Sequence, residues 1–229
     1  GYIYEGTYKL DDFNKSGNSY TLKSNVPYYT SEANTQPGMP KYRDLNGDGV
    51  INTNDCTFIG NGLPTHTGGF TNNFNYRDFD FSFFFQWSYG NDILNANRLM
   101  FESSWNRTRE LNQFASYADR WTIDNPTSNI PRATSSSSNR VFSSRIIEDG
   151  SFLRLKTLTL GYTVPRKAIS RVGIDQLRIY FAAQNLFTIS NYSGYDPEVS
   201  IRESALTPGL DFSAYPRARS FSFGINLGF

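Results

Sequence analysis

Residues 217 to 229, RARSFSFGINLGF, constrain the fold more than any other stretch. Phe221, Phe223, Ile225, Leu227 and Phe229 take every odd position, and Ser220, Ser222, Gly224, Asn226 and Gly228 every even one. That period of two gives a β-strand one apolar and one small, polar face. A soluble sandwich turns its greasy face inward and carries charge outside. Here the second face is Ser, Gly and Asn, which fits a strand with lipid on one side and a watery or plugged interior on the other.

Other stretches repeat the pattern. In 78 to 90, DFDFSFFFQWSYG, Phe79, Phe81, Phe83, Phe85, Trp87 and Tyr89 alternate with Asp78, Asp80, Ser82, Phe84, Gln86 and Ser88. The preceding HTGGFTNNFNYR places Phe70, Phe74 and Tyr76 on one parity, and a turn around Arg77 makes the two a hairpin. A strand of about 12 residues rising ~3.3 Å each and tilted about 45° climbs about 28 Å, close to a hydrocarbon core. Asp80 is expensive against lipid and should face the interior. Residues 176 to 189 alternate through Leu177, Ile179, Phe181, Ala183, Phe187 and Ile189, with Asn185 breaking the row. Residues 144 to 165 read as a bulged strand, because the apolar parity slips between Leu155 and Leu158.

Composition limits the alternatives. Lys plus Arg number 22 and Asp plus Glu 21, so no net field points to nucleic acid. Aromatics make up 16% while the mean hydropathy is negative. Membrane strands joined by polar loops have that profile, and an aromatic-rich secreted β-protein shares it. No apolar run nears the roughly 20 residues of a spanning helix. The one cysteine, Cys56, excludes an internal disulfide. With neither an initiator Met nor a signal peptide, the expectation is a C-terminal piece of a longer protein.

The remaining segments are loops and short elements. GYIYEGTYKL, 1 to 10, alternates Tyr2, Tyr4 and Tyr8 against Glu5 and Thr7 and reads as a sixth strand. The connections then fall into long ones, about 11 to 65, 91 to 150 and 190 to 216, and short ones at Arg77 and 164 to 175. Residues 95 to 121 hold material for one or two helical turns, and Ser135 to Ser138 read as a flexible tip. DLNGDGVINTND, 44 to 55, follows the calcium-loop template with Asp44, Asn46, Asp48, the Val50 carbonyl, Asn52 and Asp55 as ligands and Gly49 at the sharp turn. It departs from an EF-hand in ending on Asp and lacking flanking amphipathic helices. The alternative is an Asx-rich turn held by its own hydrogen bonds. The single His66 lies in a Gly/Thr turn with no nucleophile motif, and Glu148 and Asp149 sit beside a turn, so no catalytic set emerges.

Several stretches, in order, resemble the C-terminal part of the SusC/RagA family of TonB-dependent outer-membrane transporters of Bacteroidetes. They are GYIYEGTY, PGMPKYRDLNGDGVINTND (37 to 55), GGFTNNFNYRDFDFSFFFQWSYGNDI (68 to 93) and RWTIDNPTSNIPR (120 to 132), followed by IIEDGSFLRLKTLTLGYTVP (146 to 165), LRIYFAAQNLFTISNYSGYDPEVS (177 to 200) and GINLGF. The resemblance implies an all-β fold, an antiparallel transmembrane β-barrel of about twenty-two strands, of which this chain supplies the closing part of the wall. It further implies an N-terminal plug that is absent here, a SusD-like lipoprotein partner, TonB as energy source, and import of glycans or peptides. A strand ending in Phe229 resembles the signal read by the barrel-assembly machinery, with Phe221, Phe223, Ile225 and Leu227 on its apolar row. Six strands fall short of the eight of the smallest such barrels, so the chain must pair with the rest of its wall. The long loops would then lie outside the cell, and Trp105, Tyr117, Trp121, Tyr192, Tyr195 and Asp196 are candidate ligand-facing residues, with plain packing as the alternative. A second reading is a secreted, calcium-stabilised carbohydrate-binding or adhesion module.

Overall fold

The computed structural model describes residues 1–103, 111–134, 141–199 and 208–229. In chain order the strands are β1 (Tyr4–Thr7), β2 (Phe13–Ser16), β3 (Ser19–Leu22), β4 (Tyr28–Tyr29), β5 (Pro40–Tyr42), β6 (Val50–Ile51), β7 (His66–Tyr76), β8 (Phe79–Tyr89), β9 (Asp92–Asn95), β10 (Ile147–Asp149), β11 (Phe152–Thr163), β12 (Gln176–Ser190), β13 (Leu210–Asp211) and β14 (Ser220–Gly228). Two short helices, α1 (Ala96–Phe101) and α2 (Arg166–Ile169), interrupt them. The chain divides into two compact units: a loop unit of Gly1–Asn61, Leu94–Glu148 and Leu210–Ser213, and a sheet unit of Gly62–Ile93, Asp149–Gly209 and Ala214–Phe229.

The sheet unit is a five-stranded antiparallel meander in which β7, β8, β11, β12 and β14 neighbour one another in chain order. Its short connections are Arg77–Asp78, with Arg77 at φ 53°, and residues 164–175, which hold α2. The long ones leave from the opposite end. The parity slip in β11 is a bulge: the register shifts between Leu155 and Thr157 against both neighbours. On β12 the same irregularity takes up Asn185, held at φ 51°, a left-handed conformation that Asn adopts more readily than most residues. The sheet does not close on itself among the described residues, as part of a larger barrel wall would not.

The amino-terminal segment is not a sixth wall strand. Tyr4–Thr7 pairs instead with Pro40–Tyr42 inside the loop unit. Four residues cannot cross a bilayer, and the tyrosines meet one another: Tyr2 and Tyr42 pack edge-on to Tyr29, and Tyr4 edge-on to Tyr42. Burial pushes the Tyr4 and Tyr42 hydroxyls well above the usual phenol range.

The loop unit has a core of its own. The β2–β3 hairpin closes over Tyr8, Phe13 and Leu22, with Tyr20, Val26, Tyr28 and Met39 packed against them. A second anchor is polar. Glu102, just past α1, is 3% exposed and accepts from Arg145 Nη2 at 2.7 Å, Arg98 Nε at 3.2 Å and Ser116 Oγ. The helical turns expected between 95 and 121 are α1 and a 3-10 turn at Ala115–Asp119.

Candidate functional site

The five long strands make a sheet whose rows can be read straight across. One face carries Phe74, Phe81, Leu160, Phe181 and Phe223 in one row and Asn72, Phe83, Leu158, Ala183 and Phe221 in the next. The rows at its two ends have polar tips. Tyr76, Phe79 and Tyr162 align at the short-turn end; at the other, Trp87 Nε1 donates to His66 Nδ1 at 3.2 Å and the His66 ring stacks on Tyr89. An apolar band between belts of amphipathic rings is the arrangement lipid selects on a barrel exterior. The band is open: Phe70, Phe74, Leu160, Phe221 and Ile225 are exposed and Phe223 is 81% exposed.

The other face carries small and polar residues, one row running Asn75, Asp80, Gly161, Tyr180, Gly224. Asp80 on β8 accepts two bonds from Arg178 on β12, at 3.0 and 2.6 Å, across the intervening β11. Gly161 makes this crossing feasible, because a Cβ there would collide with the Asp80 carboxylate and the Arg178 guanidinium. Gly224 similarly leaves room for the Tyr180 ring. Asp80 therefore lies away from the apolar face, paired as well as turned from lipid.

Further along the same face the β12–β14 connection is tied down by charge. Arg154 on β11, 2% exposed, donates to Asp196, to Glu198 at 3.0 Å and to Thr188 at 2.9 Å. Lys156 and Arg217 also reach Glu198, at 3.3 and 3.0 Å. Burial alone would raise the Asp196 carboxyl, but the N–H groups of Arg217 and Glu198 and the Arg154 guanidinium outweigh it and hold the pKa low.

The structure separates the aromatic candidates. Tyr195 is 83% exposed, while Tyr117, Trp121 and Tyr192 are buried, as is Asp196 in its ion pairs. Trp121 lies against Gly38, donates Nε1 to the Pro126 carbonyl at 3.0 Å and carries the Arg132 guanidinium over its ring. Tyr192 folds over Gly194 of its own loop. Trp121 and Tyr192 thus have the packing partners of the alternative reading. Trp105 and the Ser135–Ser138 run lie outside the described residues.

In the 44–55 loop the oxygens expected to hold calcium accept backbone N–H groups. Asp44 accepts from Gly47 and Gly49, Asn46 from Asp48, Asp48 from Val50, and Asn52 from Asn54. The buried Asp55 accepts from Leu45 and Asn52, both at 2.8 Å, and the Val50 carbonyl accepts from Asn52 Nδ2. Those bonds, led by the Asn52 N–H, hold the Asp55 carboxyl below the ordinary carboxylate range. Among the described residues no three His, Cys, Asp or Glu side chains converge on a point where a cation could sit. These hydrogen bonds are the ones an Asx-rich turn makes, and each carboxylate oxygen that accepts one keeps a second lone pair.

No family model matches the chain. Individual proteins do. It is 34% identical over 234 residues to TonB-dependent receptor P3 of Formosa agariphila, covering 100% of this chain and 22% of that protein. It is 38% identical over 197 residues to TonB-dependent receptor P26 of the same organism, covering 84% of the chain and 20% of the relative. TonB-dependent receptor SusC of Bacteroides thetaiotaomicron is 30% identical over 200 residues, 86% of the chain and 18% of the relative. The chain belongs to the SusC/RagA-like TonB-dependent receptors. It spans about a fifth of the length of these relatives. The fold agrees: a chain in the closed-closed structure of the RagAB peptide importer superposes at a TM-score of 0.70 with 23% identity, covering 100% of this chain and 22% of that one.

Within this receptor segment, sequence reasoning missed the Asp80–Arg178 crossing and the Arg154–Asp196–Glu198 clamp. The signal available for the first was a lone glycine, Gly161, in an otherwise bulky strand. For the second, Arg154 at a position flanked by Leu153 and Leu155 was the only trace, and its partner lies 42 residues on.

Proposed function

We propose that this segment forms part of the barrel wall of an outer-membrane, TonB-dependent nutrient importer that works with a SusD-like lipoprotein. The observation that carries the reading is the sidedness of the five-stranded sheet, with an open phenylalanine band bounded by Trp, Tyr and His on one face and paired charges on the other. Barrels of this kind keep short turns on the periplasmic side and long loops outside, which sets Arg77 and residues 164–175 inward and 90–151 and 191–219 outward. Glycans are the proposed cargo. Peptide import, the activity given for the RagAB complex, is the second reading. The 44–55 loop is read as a hydrogen-bonded turn. Deleting the gene for the full-length receptor, and separately inactivating TonB, should each abolish growth on a limiting oligosaccharide while sparing growth on monosaccharide. Unchanged growth on glycans with lost growth on peptides would transfer the assignment to peptides, and unchanged growth on both would refute import.

A further inference from the structure

We infer, resting on the reading of this sheet as outer-membrane wall, that its short-turn end seats the phosphate of an anionic phospholipid headgroup, with Arg77 as the principal contact. The two short connections, Arg77–Asp78 and 164–175, hold four cationic side chains, Arg77, Arg166, Lys167 and Arg171, against two carboxylates, Asp78 and Asp175. Asp175 is taken up by Arg166 at 2.6 Å. Arg77, Lys167 and Arg171 are exposed and have no carboxylate partner among the described residues. At the long-loop end, by contrast, Arg154, Lys156 and Arg217 all reach Asp196 or Glu198.

Geometry puts these charges at the edge of the apolar band. The Arg77 guanidinium lies 5.4 Å from the centroid of the Tyr76 ring, and Tyr76, 69% exposed, stands on the same face as Phe74 in the row that closes the band. The cation is thus held on the lipid side. Its backbone is costly: Arg77 sits at φ 53° in a two-residue hairpin turn, where Asn or Gly is the ordinary choice, and such strain concentrates at ligand contacts. Beside it the Thr163 N–H donates to the Asp78 carbonyl and the Val164 N–H to the Leu177 carbonyl, both at 2.8 Å. The 164–175 connection therefore continues the same rim, next to the apolar row of Leu177 and Leu227. Buried Ile169 pins α2 there and leaves Lys167 exposed. The two connections stand about two strand spacings, roughly 10 Å, apart, close enough for their fields to add at a bilayer surface. An arginine fork with further cations beside amphipathic rings matches a phosphate in a negatively charged leaflet.

The test uses the full-length receptor reconstituted in phosphatidylcholine bilayers, with Cys56 replaced and a fluorophore on Ala168→Cys, an exposed position in α2. Phosphatidylglycerol and phosphatidylcholine, each spin-labelled near the headgroup, are compared as quenchers. Phosphatidylglycerol should reach half-quenching at a bilayer fraction at least about threefold lower, an advantage that shrinks in high salt. Arg77→Asn removes the charge and suits the turn's backbone, so it should cut that advantage by about half or more with melting unchanged or raised. Lys167→Gln combined with Arg171→Gln should cut it as well, leaving the β7–β8 hairpin untouched. Equal quenching by the two lipids, or an advantage that survives both sets of substitutions, would overturn the headgroup seat. A second label, on Phe83→Cys, separates that failure from failure of the wall reading. Quenching at 83 by chain-labelled lipid of either headgroup, with no preference at 168, defeats the seat alone; no quenching at either label defeats both.

Discussion

In the sheet unit Phe223 is 81% exposed and Phe79 52%, whereas in the loop unit Tyr8 and Ile146 are 1% exposed and Glu102 is buried among its ion pairs. Each arrangement would be costly in the other's setting. A phenylalanine band of this extent invites aggregation in water, and Glu102 with two arginines would be costly in hydrocarbon unless fully enclosed. The difference fits one chain built for two solvents: the strands order themselves by alternation, with lipid on one side, and the loop unit by burying tyrosines and ion pairs in a core of its own.

The comparison breaks most sharply at Glu102. Glu102→Ala strands Arg145, and should cost the loop unit about 3–5 kcal/mol, read as rapid proteolysis between 94 and 148 in the full-length receptor, with the sheet still assembled. Phe83→Arg attacks the other solvent and should destabilise the wall by about 2–4 kcal/mol, lowering the heat-resistant folded fraction in the outer membrane, whereas Ser82→Arg on the opposite face should be tolerated. Equal effects would remove the distinction between faces. Gly161→Leu overpacks the Asp80–Arg178 crossing and should cost about 1–3 kcal/mol, a loss the Thr159→Leu control does not share.

A milder contrast is in pH. The folded pKa of Asp196 lies below its unfolded value, so its contribution is complete above about pH 4 and is lost as the pH falls through the folded pKa. Proteolysis of the 191–199 connection should therefore rise on acidification below about pH 4, and Asp196→Asn should make it fast at every pH. The smallest effect concerns calcium. Chelation should leave the melting temperature unchanged while Asp55→Ala lowers it with or without calcium; a shift confined to calcium-containing buffer would show a bound cation.

Much of the wall was legible because alternation is local. β8 fell within 78–90, β12 within a residue of 176–189, and both the bulge after Leu155 and the break at Asn185 were visible as slips of parity. The same rule misled at Tyr2, Tyr4 and Tyr8, where alternating rings marked a short pairing inside an aromatic cluster. A ring with a hydroxyl suits a wet core as well as a membrane rim, so parity alone could not choose. The loop unit's organisation was hidden because its anchors are distant in sequence: Glu102 finds Arg145 43 residues away, and Thr7 donates to the Ser128 carbonyl across 121. Whether Tyr117 and Trp121 face a ligand or pack was left open by the sequence for the same reason, since Gly38 and Arg132, which enclose Trp121, carry no mark of that contact in the sequence.

The most direct test of the two-solvent account is spin-label accessibility along β8. In the reconstituted full-length receptor with Cys56 replaced, labels placed singly from 79 to 89 are exposed in turn to molecular oxygen and to a water-soluble nickel chelate. The account predicts strict alternation, with oxygen favoured at 79, 81, 83 and 85 and nickel at 80, 82 and 86. Uniform accessibility along the strand, or odd positions shielded from both reagents, would contradict it.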